Sequence, residues 1–161
     1  MPMNERVNVL TLKWGTMYSS EYVNRIYRGV KAHLKRPFRF VCVTDDPSGL
    51  VDGVEAVAFP EKPEWYRPNA RYPGWPNIYV KLLVFAPGFA NLEGPTLFLD
   101  IDQIVTGDLD CFFDYRPGEF CIVHNWVALR KQLELPQNGT LRKRRFLSAT
   151  QLWTMQNSPG L

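Results

Sequence analysis

Asp100-Ile101-Asp102 is the stretch of this chain best equipped for chemistry. The two carboxylates follow the apolar run Thr96-Leu97-Phe98-Leu99 directly and are followed by Ile104-Val105, the setting of a buried strand leaving a sheet. In an extended segment residues i and i+2 share a face, so Asp100 and Asp102 should point the same way and Ile101 back toward the sheet. Paired carboxylates repel each other and need a cation, a proton or a basic side chain beside them. Hard oxygen ligands select Mg2+ or Mn2+, which also take phosphate oxygens from a substrate. Such an ion can stabilise the charge that builds on a departing nucleotide. On an exposed loop the same spacing would be only a solvated turn.

Other reactive side chains are few. His33 falls in the last turn of a helical pattern, where a cation suits the helix dipole. His124 ends an apolar run near the expected sheet edge and is a further metal-ligand candidate. Cys42, Cys111 and Cys121 match neither a disulfide framework nor a zinc pattern, and Cys42 and Cys121 read as small hydrophobes. Neither a G-x-G-x-x-G fingerprint nor a P-loop occurs.

The elements that must position these residues follow from hydrophobic spacing. Residues 7–12 form a short apolar strand. Ser19-Ser20-Glu21 offers helix-start chemistry, and Tyr22, Val23, Ile26, Tyr27, Val30 and Leu34 recur at helical spacing until Pro37 prevents continuation. Residues 38–44 make a second strand, giving a βαβ unit with parallel strands. A third strand is expected at 54–59, a helix at 77–85 stopped by Pro87-Gly88, a fourth strand at 96–99, a helical turn near 107–113 and a fifth strand at 120–124. Between 60 and 76 five prolines, with Trp65, Tyr66, Tyr72 and Trp75, exclude regular structure. The two tryptophans would close over a ligand or pin that loop. The fold class is α/β, a mostly parallel open sheet of about five strands flanked by helices.

Within this frame a resemblance becomes specific. Thr11-Leu12-Lys13-Trp14-Gly15, Tyr18 and Tyr22, Phe40-Val41-Cys42-Val43-Thr44-Asp45, Gly74-Trp75-Pro76, Lys81-Leu82 and Leu97-Phe98-Leu99-Asp100-Ile101-Asp102 resemble the donor-binding half of a GT-A glycosyltransferase, a Rossmann-like fold. The likeness is to bacterial relatives of glycosyltransferase family eight and runs over residues 7–126. It implies a nucleotide-sugar donor, a UDP-sugar above all, with Mn2+ or Mg2+, and suggests retention at the transferred carbon. Asp102 would ligate the metal, and Asp100 the metal or the donor's ribose and sugar, with Ile101 between them at the donor. Thr11, Lys13 and Tyr18 match the loop that holds the nucleoside, and Lys81 a basic residue that meets the donor. The family's third metal ligand is a histidine in a later C-terminal motif. The acceptor, a glycan, lipid or small molecule, and the catalytic residues stay unknown.

Residues 127–161 do not resemble the family's continuation and are expected to be a separate, loosely packed or disordered tail. They carry six Lys/Arg against the single acid Glu134, within a chain of net charge +3. A truncated gene, a shifted reading frame or a divergent tail would each produce this change. The expected function is transfer of a sugar from the nucleotide-sugar to an acceptor. A truncated chain would lose transfer but could keep donor and metal binding, whose residues lie before 127. The tail would touch anionic surfaces weakly. No nucleic-acid partner is expected. Without a signal peptide or an apolar span of about 20 residues, the expected location is cytoplasmic. Two alternatives stand beside a transferase. One is a non-catalytic nucleotide-sugar-binding remnant, and the other a Mg2+-dependent phosphatase using an aspartate nucleophile.

Overall fold

The computed structural model describes residues 3–60, 78–122 and 151–155. Its centre is β1, Val7–Lys13, buried at every position. Alternating side chains of this strand serve two separate cores. Val7 and Val9 pack with Val23, Ile26 and Val30 of helix α1, Ser20–His33, while Leu10 and Leu12 pack on the other face with Val80, Leu83 and Val84. A strand buried on both faces needs apolar residues at both parities, as the run Val-Asn-Val-Leu-Thr-Leu largely supplies.

Parallel pairing extends from β1 in both directions. β2, Phe38–Thr44, runs beside it in register from Val7↔Phe38 to Lys13↔Thr44, and β3, Val54–Val57, continues outward from β2. On the other side lies β4, Gly94–Phe98, paired from Asn8↔Thr96 to Leu10↔Phe98. The parallel part therefore has the order β3-β2-β1-β4, an α/β open sheet as expected. Winding reverses between β1 and β4. The sheet is completed by β5, Cys121–Ile122, and by β6, Gln151–Met155, which lies antiparallel between β4 and β5. That sixth strand comes from the compositionally different tail. Of the fifth strand expected at 120–124, residues 123 and 124 lie outside the described residues.

The segment before β4 winds differently from an ordinary α-helix. Ile78–Phe85 is a 3-10 helix, followed by a second at Phe89–Asn91. Pro87 has no N–H to give the Leu83 carbonyl, and Ala86 donates to it instead at 2.9 Å, with Phe89 bonding Ala86 in turn at 3.1 Å. A short helix α2, Asp110–Asp114, covers the α1 face, where Phe113 is buried. Among the described residues no helix is long and apolar enough to cross a membrane. The proline loop with Trp65 and Trp75, His124, and the tail apart from β6 lie outside the described residues.

Candidate functional site

The carboxyl ends of β1 and β4 meet where the winding reverses, the place at which an open parallel sheet leaves a crevice for ligands. β4 ends at Phe98. The Leu99 amide makes a last bond to the Leu10 carbonyl at 2.9 Å, and the chain then turns. Gln103 N donates to the Asp100 carbonyl at 3.1 Å, while Asp100 N donates back to Gln103 Oε1 at 3.0 Å. The backbone is therefore not extended through Asp100-Ile101-Asp102, and the alternation argument for two carboxylates on one face does not apply. Aspartate at the first position of a turn, closed by a glutamine three residues on, bends the chain at Ile101-Asp102. Ile101 still packs back against the α1-side core, and Asp102 is exposed.

Asp100 is buried, and its Oδ1 accepts from Lys81 Nζ. The lysine comes from the 3-10 helix, whose Val80, Leu83 and Val84 anchor it to the sheet and leave Lys81 half-exposed above the carboxylate. Tyr18, half-buried ahead of α1, lies in the field of both acids. Burial pushes its phenol pKa up, and Asp102, Tyr22 and Asp100 add to that rise. Its ring stands edge-on to Tyr22, with centroids 5.0 Å apart. The structure thus sets Lys81 on Asp100, with Asp102 two residues on and Tyr18 within electrostatic reach of both acids.

Lys13 and Thr11 are placed differently. Lys13, at the end of β1, is buried, and its Nζ donates to the Asp46 carbonyl at 3.2 Å. Nearby, Gly15 N donates to Asp45 Oδ2 at 2.9 Å. These bonds join the loop after β1 to the loop after β2. Thr11 is fully enclosed inside the sheet, and its Oγ1 has no hydrogen-bond partner among the described residues. Gln103, which shapes the turn, was not among the candidates read from the sequence. The Asp-x-x-Gln spacing was its available signal.

A cavity of about 310 Å³ lies elsewhere, between residues 103–109, Leu99 and Phe112, and none of the four clustered residues lines it. Among the described residues no group of three or more His, Cys, Asp or Glu is arranged to hold a metal. The donor set is one buried and one exposed carboxylate. Two carboxylates alone could hold a hard divalent cation only with water or ligand oxygens completing its shell.

Fold and site together define an α/β open-sheet protein with two aspartates, one buried and one exposed, just past the carboxyl end of β4 where the winding reverses. No protein-family model and no curated protein matches the chain.

Proposed function

We propose that this chain binds a nucleotide sugar, specifically a UDP-sugar, as the donor-binding part of a metal-dependent glycosyltransferase of the GT-A type, with a glycan, lipid or small molecule as acceptor. The observation that carries the reading is the location of Asp100. It is a buried acid just past the carboxyl end of β4, beside β1, with a lysine upon it and a second, exposed acid two residues on. A diphosphate with its cation needs both signs of charge at such a place. Mn2+ or Mg2+, when bound, would offset the charge of the leaving nucleoside diphosphate.

The chain's own residues supply the rest. Asp100 and Asp102 would hold the ion, and Lys81 carries a positive charge to the diphosphate. Tyr18 stays protonated beside them and can donate a hydrogen bond. Lys13 steadies the loop that leads to Tyr18 through its bond to Asp46. A cytoplasmic location goes with this reading, since three free cysteines, Cys111 exposed among them, suit a reducing compartment.

Calorimetry of UDP with and without Mn2+, on the wild type and on Asp102→Asn, tests the proposal. Mn2+-dependent binding that the substitution abolishes supports it. Metal-independent binding, unchanged in the variant, overturns it. Hydrolysis of a phosphate ester with Mg2+, lost in Asp100→Ala, would mark an aspartate-nucleophile phosphatase instead.

A further inference from the structure

We infer that Lys81 is a resident competitor for the metal position: its ammonium holds Asp100 until a cation arrives together with a nucleotide, so the two bind as a pair. The inference rests on the nucleotide-sugar reading of the site and adds how loading of that site is controlled. Three observations support it. Lys81 Nζ is in direct contact with Asp100 Oδ1, and the two side chains differ in exposure, 35% for the lysine against 6% for the acid. The acid is the fixed partner. Its backbone is tied at both N–H and carbonyl to Gln103, whereas the lysine sits on a flexible four-carbon stem at the solvent side. Finally, the described residues offer no third acidic, histidine or cysteine ligand to draw in a bare ion.

A divalent cation on Asp100 would stand beside the ammonium, and like charges at contact repel. The lysine must therefore move aside for the metal. Without a nucleotide it gains nothing by moving. With a diphosphate present, the displaced ammonium finds a new anion at the same place, and the exchange keeps the local charge balanced. Metal and nucleotide then enhance each other's binding by equal factors, as linkage requires.

Titration of Mn2+ alone, followed by the electron-spin signal of the free ion, tests this on the wild type, Lys81→Met, Lys81→Gln and Lys81→Arg. Both neutral variants should bind Mn2+ roughly tenfold tighter or more, since an adjacent charge biases a carboxylate by about one to three powers of ten. Lys81→Arg should match the wild type, and UDP should enhance Mn2+ binding less in the neutral variants. Asp100→Asn should erase the difference between lysine and methionine at position 81. Mn2+ binding that is unchanged or weaker in Lys81→Met and Lys81→Gln overturns the inference, as does a difference that persists with Asp100→Asn. A wild type that binds UDP without regard to Mn2+ overturns the glycosyltransferase reading and, by the same linkage, the paired binding, while the metal-only titrations still decide whether Lys81 competes for Asp100.

Discussion

Arg36 donates its Nε to Asp110 Oδ1 at 2.7 Å from a side chain with no solvent exposure. Its Nη2 reaches Asp114 at 3.1 and 3.2 Å, and the Phe113 ring lies 5.4 Å from the guanidinium carbon. Lys35 N adds a bond to Asp110 Oδ2 at 2.9 Å, and Leu109 N one to the His33 carbonyl at 3.0 Å. These contacts fasten α2 to the end of α1. The loop 103–109 is thereby held at its far end, while Gln103 and Asp100 hold its beginning. The acidic turn is thus braced by an ion pair that takes no part in its chemistry.

Removing Asp110 strips a buried guanidinium of its closest carboxylate and leaves it only the half-exposed Asp114. Asp110→Ala should cost about 3 kcal/mol of stability, the low end for a broken buried pair because Asp114 remains, and Asp114→Ala, whose carboxylate is half-exposed, distinctly less. Urea unfolding followed by tryptophan fluorescence checks both. Equal, small effects would contradict the bracing role.

Acid should weaken the same brace. Burial alone pushes the Asp110 carboxyl up, but hydrogen bonds from Arg36 and from the Lys35 and Arg36 amides, with the guanidinium charge, hold it below its ordinary value. A carboxylate depressed in the folded state contributes stability that is present above its unfolded pKa of about 4 and is lost as pH falls through the lower folded value. Unfolding midpoints should therefore drop below about pH 4, and Asp110→Asn should flatten that drop.

The cysteines should separate by reactivity and by alkaline response. Burial pushes the Cys42 thiol up to about 12, with Lys13 pulling weakly the other way, whereas Cys111 is exposed. A thiol reagent at pH 8 should label Cys111 at once and Cys42 only on unfolding. The Cys42 contribution is fully present below its unfolded pKa of about 9 and is lost as pH rises toward the folded value, so Cys42→Ala should lessen alkaline destabilisation.

Gly53 adopts φ +94°, and a Cβ there would stand 2.1 Å from Tyr27 Oη. Gly53→Ala should cost about 1–3 kcal/mol, mainly from backbone strain, because the tyrosine can swing away. Tyr27→Phe in the Gly53→Ala background should recover only the smaller, steric part in the same urea titration.

Tyr18 reports on the carboxylates directly. Burial is the largest cause of its raised pKa, with the charge of Asp102 next. Ultraviolet titration should find one tyrosine ionising above the ordinary value of about 10, and Asp102→Asn should bring it partway back. An unchanged curve would mean that the two side chains are not neighbours.

The parallel sheet was legible because strands buried on both faces must be written as apolar runs, and residues 7–12 and 38–44 are such runs. The candidate acids were legible for the same reason, since Asp100 interrupts a buried stretch. Their geometry was not. A period-two argument assumes extended backbone, and the bonds between Asp100 and Gln103 replaced it with a turn. Strand β6 was equally hidden, because its pairing with β4 depends on partners more than fifty residues away in sequence.

Local pattern, then, determined the parallel strands β1 to β4, where helix α1 begins and ends, and that two acids follow β4, because each depends on neighbours within a few residues. Tertiary structure alone decided that Lys81 rests on Asp100 across 19 residues, that Lys13 turns to the Asp46 carbonyl, and that Thr11 is sealed inside the sheet. Those contacts depend on strand order and on a 3-10 helix packing over the sheet. Such long-range packing is chosen by the burial of the whole apolar surface, which no local spacing encodes.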